Sequence, residues 1–145
     1  MNLFLPELKP TNASAYILSA KIVGNIIFSS GSTALVNGKT INVGIVGKEV
    51  TIEQAQEAAI VATLNTLAKL KDALGDLGRI KNIIKVNGFI ASASDFNKQA
   101  IVMNTVSDLL IKVFGSDGAH ARTAVGVSSL PGGSPVEVEI IAEFE

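Results

Sequence analysis

Two spacings of apolar residues divide the chain. In one stretch, Thr51-Ile-Glu-Gln54 has the form of a capping box, in which the threonine hydroxyl and the glutamine side chain each satisfy a free backbone amide. Ile60, Leu64, Leu67 and Leu74 follow at helical spacing, and Gly75 supplies a C-terminal stop. A second helix is predicted over residues 97–114, with Val102, Met103, Val106, Leu109, Leu110 and Val113 on its buried side and Gly115 just beyond. Strand-like segments surround these two. Residues 15–22 and 26–29 are rich in β-formers and flank the turn dipeptide Gly24-Asn25, which predicts a hairpin. The glycine-broken stretch 31–47 reads as a loop with a short strand near 40–43. Residues 80–91 are apolar on both faces, which predicts a central, doubly covered strand. Two final strands, 121–128 and 136–144, are separated by Leu130-Pro-Gly-Gly-Ser-Pro135.

The order β-β-(β)-α-β-α-β-β contains no internal repeat and no linker long enough to split it, so residues 1–145 are expected to form a single domain. One mixed sheet with both helices packed on one face is a two-layer α/β (α+β) sandwich. That arrangement leaves the other sheet face uncovered, to be buried by another subunit. Composition agrees. Apolar residues make up 48% of the chain and charged residues only 17%, against about 25% in ordinary domains. A mean hydropathy of +0.42 excludes disorder, and no apolar run approaches the ~20 residues of a membrane span.

Charge and residue counts remove several functions. Twelve basic against thirteen acidic side chains give a net charge of −1, so no basic stripe is available for nucleic-acid phosphates. Lys69, Lys71, Lys81 and Lys85 read as a solvated face, with Asp72 among them. The chain has no cysteine, which excludes disulfides, thiolate nucleophiles and thiolate-bound metals. His120 is the only histidine and reads as a loop residue before a strand; neither a metal site nor a Ser-His-Asp triad is expected around it. No phosphate-binding glycine motif is present, and no cofactor is expected. The first residues, Met1-Asn-Leu-Phe-Leu-Pro-Glu, resemble neither a secretory signal nor a transit peptide, so the cytoplasm is the expected location.

One strand carries candidate chemistry. Alternation over 121–128 places Arg122, Ala124, Gly126 and Ser128 on one face. An arginine beside small residues offers a planar fork of donors in a hollow, suited to a carboxylate. The same small residues would equally let a helix or a second subunit pack closely, with Arg122 in a structural ion pair, and the pattern alone leaves both readings level. In the last strand Glu137, Glu139 and Glu143 share one face, opposite Val136, Val138, Ile140, Ala142 and Phe144. Such a row is usually the solvated side. Were the last two strands a tight hairpin, Glu137 would lie about 20 Å along the strand from Arg122; a shared site therefore requires the last strand to insert elsewhere in the sheet, or two subunits to contribute.

The segment from His120 to Glu139, with Arg122-Thr123, Leu130-Pro131 and Val136-Glu-Val-Glu139, closely resembles the C-terminal signature of the reactive-intermediate deaminase (RidA/YjgF) family. Tyr16, Gly24-Asn25, Phe28-Ser-Ser-Gly31 and Asn104 extend the resemblance over nearly the whole chain, and the pattern looks most like a less characterised branch. The resemblance implies a chorismate-mutase-like fold and a homotrimer with a ligand cleft between subunits. It implies that Arg122 clamps a substrate carboxylate and that Glu137 positions the attacking water. By the same resemblance Tyr16, Ser30, Gly31 and Asn104 line the cleft, and the backbone of Ala124 contacts the ligand.

The implied activity is hydrolysis of enamine/imine intermediates such as 2-aminoacrylate to 2-keto acids and ammonia, without metal or cofactor. Ala124 stands where many members have cysteine, and Gly126 replaces a frequent glutamate. These departures keep open a non-catalytic trimer that binds small carboxylates or keto acids. The endoribonuclease and translation-inhibitor labels also attached to the family fit an acidic chain with one histidine poorly.

Overall fold

In the computed structural model, which describes residues 17–145, the capping box at Thr51 is formed. Thr51 Oγ1 accepts from the Gln54 amide at 3.2 Å, and Gln54 Oε1 accepts from the Thr51 amide at 3.0 Å. Helix α1 (Ile52–Leu74) ends at Gly75, whose φ of 85° turns the chain away and whose amide donates to the Lys71 carbonyl. Its buried stripe is smaller-grained than expected. Ala55, Ala58, Ala59, Ala62, Leu67 and Leu70 are fully buried, whereas Ile60 and Leu64 are only half-buried. Small side chains bring the helix close to the sheet, and Thr66 Oγ1 comes within 3.1 Å of the Val138 carbonyl.

The strands are β1 (Ala20–Val23), β2 (Ile26–Ser29), β3 (Ser32–Thr33), β4 (Leu35–Val36), β5 (Lys39–Thr40), β6 (Ile80–Ala91), β7 (Ala121–Val127) and β8 (Val136–Phe144), with α2 (Gln99–Phe114) between β6 and β7. Gly24, at φ 61°, makes the β1–β2 turn; the hairpin's first strand runs over Ala20–Val23, and residues 15 and 16 of the predicted strand lie outside the described residues. Segment 31–47 is more ordered than expected. Asn37 and Gly38 both take positive φ, 51° and 79°, as a tight two-residue hairpin requires. They join β4 to β5, which ends at Thr40, so no strand forms over 40–43. Helix α2 starts two residues later than predicted and buries Val102, Met103, Val106 and Leu110, leaving Leu109 and Val113 half-buried.

The main sheet has the order β1-β2-β8-β6-β7, with β3 also paired to β8. β7 is parallel to β6 and all other pairs are antiparallel; a parallel pair needs a crossover, which α2 supplies. The last strand does insert away from β7. Gly88 and Val138 are register partners, so they share a face; Met103 of α2 covers Gly88, and Thr66 of α1 reaches Val138. Both helices therefore pack on one side of a mixed sheet. The other face carries Asn87, Phe89, Thr123, Val125, Glu137, Glu139 and Ile141 with no helix over it. β6 is central, but one chain covers only one of its faces.

A Cβ on Gly88 would lie 2.4–2.8 Å from side-chain atoms of Met103, which is fully buried. Gly88→Ala is expected to destabilise the fold by about 1–3 kcal/mol, the range for core overpacking. In a Met103→Ala background the same change should cost far less, a coupling that urea denaturation of the double-mutant cycle reads directly.

Candidate functional site

Arg122 lies on the edge strand β7, on its helix-facing side. It is level with Val86 of β6 and points toward α2. Its Nη1 donates to Asn104 Oδ1 at 3.0 Å and to Ser107 Oγ at 3.1 Å. Two anchors on one nitrogen fix the plane of the guanidinium. Its Nε and Nη2 make no hydrogen bond among the described residues, and that edge is the one that grips a carboxylate side-on. Behind the arginine, Ser107 Oγ is 2.9 Å from His120 Nε2, and His120 Nδ1 is 2.6 Å from the Gly118 carbonyl. His120 does precede a strand, as expected, but it is wired to α2. The hollow proposed beside Arg122 is partly closed. Ala124 packs against the core, and a Cβ at Gly126 would sit 2.7 Å from Ser92 Oγ and 2.9 Å from Gln99 Nε2. Gly126 is nonetheless exposed and, with Ser128, lines a groove beside Ser92 and Gln99, whose side-chain ends a Cβ there would displace.

A second cluster surrounds Gly31, where the edge of the sheet is broken between β2 and β3. The position a Gly31 Cβ would take is 2.5 Å from Glu137 Oε1, so glycine is required here for space. Ser30 donates its hydroxyl to the Leu18 carbonyl at 2.5 Å and its amide to the Ser19 carbonyl at 2.8 Å. Of the glutamate row, Glu139 accepts from Asn87 and Glu143 from Asn25; Glu137 accepts no side-chain hydrogen bond among the described residues. Lys69 completes the cluster and corrects the solvated-face reading. Its Nζ donates to the Gly31 carbonyl at 2.9 Å. Burial pushes its ammonium below the ordinary lysine range, while the negative charge of Glu137 acts in the opposite direction. The signal was in the spacing, since Lys69 is three residues after buried Thr66 and seven after buried Ala62.

The two clusters are separate within one chain. β6 lies between β7 and β8, and Phe89 pairs with both Val125 and Glu137. Arg122 is thus two strand spacings and three residues from Glu137, about 10 Å in each direction, and the side chains emerge on opposite faces. The expected pairing of Arg122 with Glu137 does not occur in a single chain. Arg122, Asn104 and Ala124 fall in the first cluster; Ser30, Gly31 and Glu137 fall in the second. Tyr16 lies outside the described residues. Grooves of about 300 and 610 Å³ flank Phe96 near the start of α2, and neither includes Arg122 or Glu137. Among the described residues no acidic or histidine cluster could hold a metal, and no helix is long and apolar enough to cross a membrane.

Comparison with known proteins adds the following. Residues 2–144 match the family described as "YjgF/chorismate_mutase-like, putative endoribonuclease". Protein TCP17 of Trypanosoma cruzi is 43% identical over 102 residues, which are 70% of this chain and 64% of TCP17; the match spans less than two thirds of that relative. Atu1372 from Agrobacterium tumefaciens, a protein of unknown function, superposes with a TM-score of 0.86 at 42% identity, covering 88% of this chain and 82% of its own. A Shewanella oneidensis protein described as a "putative endoribonuclease" superposes with a TM-score of 0.90 at 31% identity, covering 98% of this chain and 93% of its own.

The second cluster has a titration signature. Lys69 is expected to lose its proton at lower pH than Lys81, whose pairing with Glu145 at 2.6 Å holds it above the usual range. Because Glu137 raises the Lys69 value, Glu137→Gln should lower it further. NMR titration of the lysine Cε resonances measures both; a Lys69 that titrates with the other lysines and ignores the substitution would place it in solvent.

Proposed function

The chain belongs to the YjgF/chorismate mutase-like family, and on that premise we propose that it hydrolyses reactive enamine/imine intermediates of the 2-aminoacrylate type to 2-keto acids and ammonia. The observation that carries this reading is the Arg122 guanidinium, held at Nη1 by Asn104 and Ser107 with its Nε/Nη2 edge left for a ligand carboxylate. The enamine tautomerises to an imine. Glu137 takes a proton from a water as its oxygen adds to the imine carbon, the nitrogen gains a proton, and the aminol collapses with cleavage of the C–N bond. Ammonia leaves and a ketone remains. The substrate is already reactive, so positioning supplies much of what the reaction needs.

Separation of the clusters constrains the assembly. Arg122 lies at the β7 edge of the sheet, whereas Gly31 and Glu137 lie toward the opposite edge. A two-fold dimer built on one such edge would set like against like. A head-to-tail ring instead brings Arg122 of one protomer toward Glu137 of the next, and the family resemblance supports a homotrimer as that ring. The uncovered sheet face, with exposed Val23, Phe28, Ile84 and Val125, is the apolar surface such a ring would bury. A non-catalytic carboxylate-binding trimer is the competing reading. It is favoured by one fact, that the arginine cluster is complete in one chain and lacks Glu137. Cleavage of RNA finds little support in a chain of net charge −1.

Arg122→Lys keeps the charge but loses the planar fork, and should weaken pyruvate binding by about 1.5–3 kcal/mol in calorimetry. Glu137→Gln should bind pyruvate normally yet slow ketoacid release from freshly generated 2-aminoacrylate by about 10²–10⁴-fold. Wild-type protein that binds pyruvate but adds nothing to spontaneous hydrolysis would make the binding module the correct reading.

Subunit mixing tests the shared site. Co-assembled Arg122→Ala and Glu137→Gln chains, each inactive alone, should recover about a quarter of wild-type activity, because one random neighbour pair in four has both intact groups facing each other. No recovery, or sedimentation as a well-folded monomer at micromolar concentration, would exclude a site built from two chains.

A further inference from the structure

We infer that Ser107 and His120 are positioning residues for the Arg122 clamp, acting as a directed relay that holds the guanidinium edge-on to its ligand; this rests on the carboxylate-binding reading above. The direction follows from donor and acceptor chemistry. The Gly118 carbonyl can only accept, so His120 Nδ1, at 2.6 Å, carries a proton. In a neutral imidazole Nε2 is then the acceptor, and the Ser107 hydroxyl donates to it at 2.9 Å. That spends the single proton of Ser107 and leaves its oxygen lone pairs for Arg122 Nη1, at 3.1 Å. The other Nη1 proton goes to Asn104 Oδ1 at 3.0 Å. Both protons of Nη1 are therefore engaged.

The far end of the relay is rigid. Gly118 is buried, and a Cβ there would fall 2.2 Å from the Leu110 carbonyl oxygen. The turn after α2 is thus pressed against the helix backbone, and its carbonyl is a fixed anchor for the imidazole. The histidine decides where the serine points. Without an acceptor at His120, the Ser107 hydroxyl would turn to the carbonyl four residues earlier in α2, as helical serines do. Its oxygen would move away from Arg122, and the guanidinium would keep only its Asn104 anchor.

The test is calorimetry with pyruvate on the full chain. Ser107→Ala and His120→Leu should each weaken binding about three- to tenfold, the loss of roughly one hydrogen bond, with thermal midpoints recorded alongside. His120→Gln, whose amide oxygen can replace the Nε2 acceptor, should restore most of the affinity. Nitrogen-15 NMR of the wild-type imidazole should show the Nδ1–H tautomer. Full-affinity binding by both Ser107→Ala and His120→Leu overturns the inference, as does a His120→Gln as weak as His120→Leu or an Nε2–H tautomer. If His120→Leu does not fold, His120→Ala takes its place in the comparison with His120→Gln. The two failures are distinguishable. Wild-type protein that binds no pyruvate defeats the carboxylate reading, whereas unchanged binding by the variants defeats only the relay.

Discussion

Strand β8 has two faces with incompatible demands, and the rest of the structure is arranged to meet both. Val136, Val138, Ile140 and Ala142 are completely buried against the helices, each of the larger side chains contributing about 1.5–3 kcal/mol by leaving water. Glu137, Glu139 and Glu143 stand on the opposite face, where no helix lies. A one-residue slip in pairing would exchange the two sets, forcing carboxylates into the core. The register is consequently well determined, from Phe89 opposite Glu137 to Thr33 opposite Glu137 on the other side. Burial of four apolar residues thereby aims a carboxylate at Gly31.

The same constraint sets Arg122 apart. β6 can accept β8 on one edge only, and α2 crosses over to deliver β7 in parallel to the other. Arg122 then emerges beneath α2, where Asn104 and Ser107 meet it one helical turn apart. Each cluster has an internal charge logic. The arginine faces neutral acceptors that leave its charge for a ligand, and Lys69 faces a carbonyl and a carboxylate that offset the cost of its partial burial. Neither cluster contains what the other supplies, so the proposed chemistry requires groups from two chains.

Much of this was legible beforehand. The capping box at Thr51, the stop at Gly75 and the bounds of β6 and β8 depend on local dihedral and hydrogen-bond chemistry, and local chemistry is written in adjacent residues. Alternation in β8 declared its two faces for the same reason. The Asn37-Gly38 hairpin was readable too, since both residues tolerate positive φ, but a two-residue strand has too little periodicity to stand out from a glycine-rich loop.

Other features were settled only by tertiary structure. How far apart Arg122 and Glu137 lie depends on strand order, and strand order is set by non-local pairing that periodicity does not encode. Lys69 looked like a surface lysine because Lys71 and Asp72 follow close behind it, while its neighbours in space are Gly31 and Glu137. His120 has no sequence partner, yet α2 folds back to place Ser107 against it. The sequence alone determined the two helices, the long strands β6 and β8, the caps of α1 and the apolar face of β8, because those are properties of residues within a few positions of one another. Three-dimensional packing decided which polar groups meet, because each such meeting joins segments that only the core brings together.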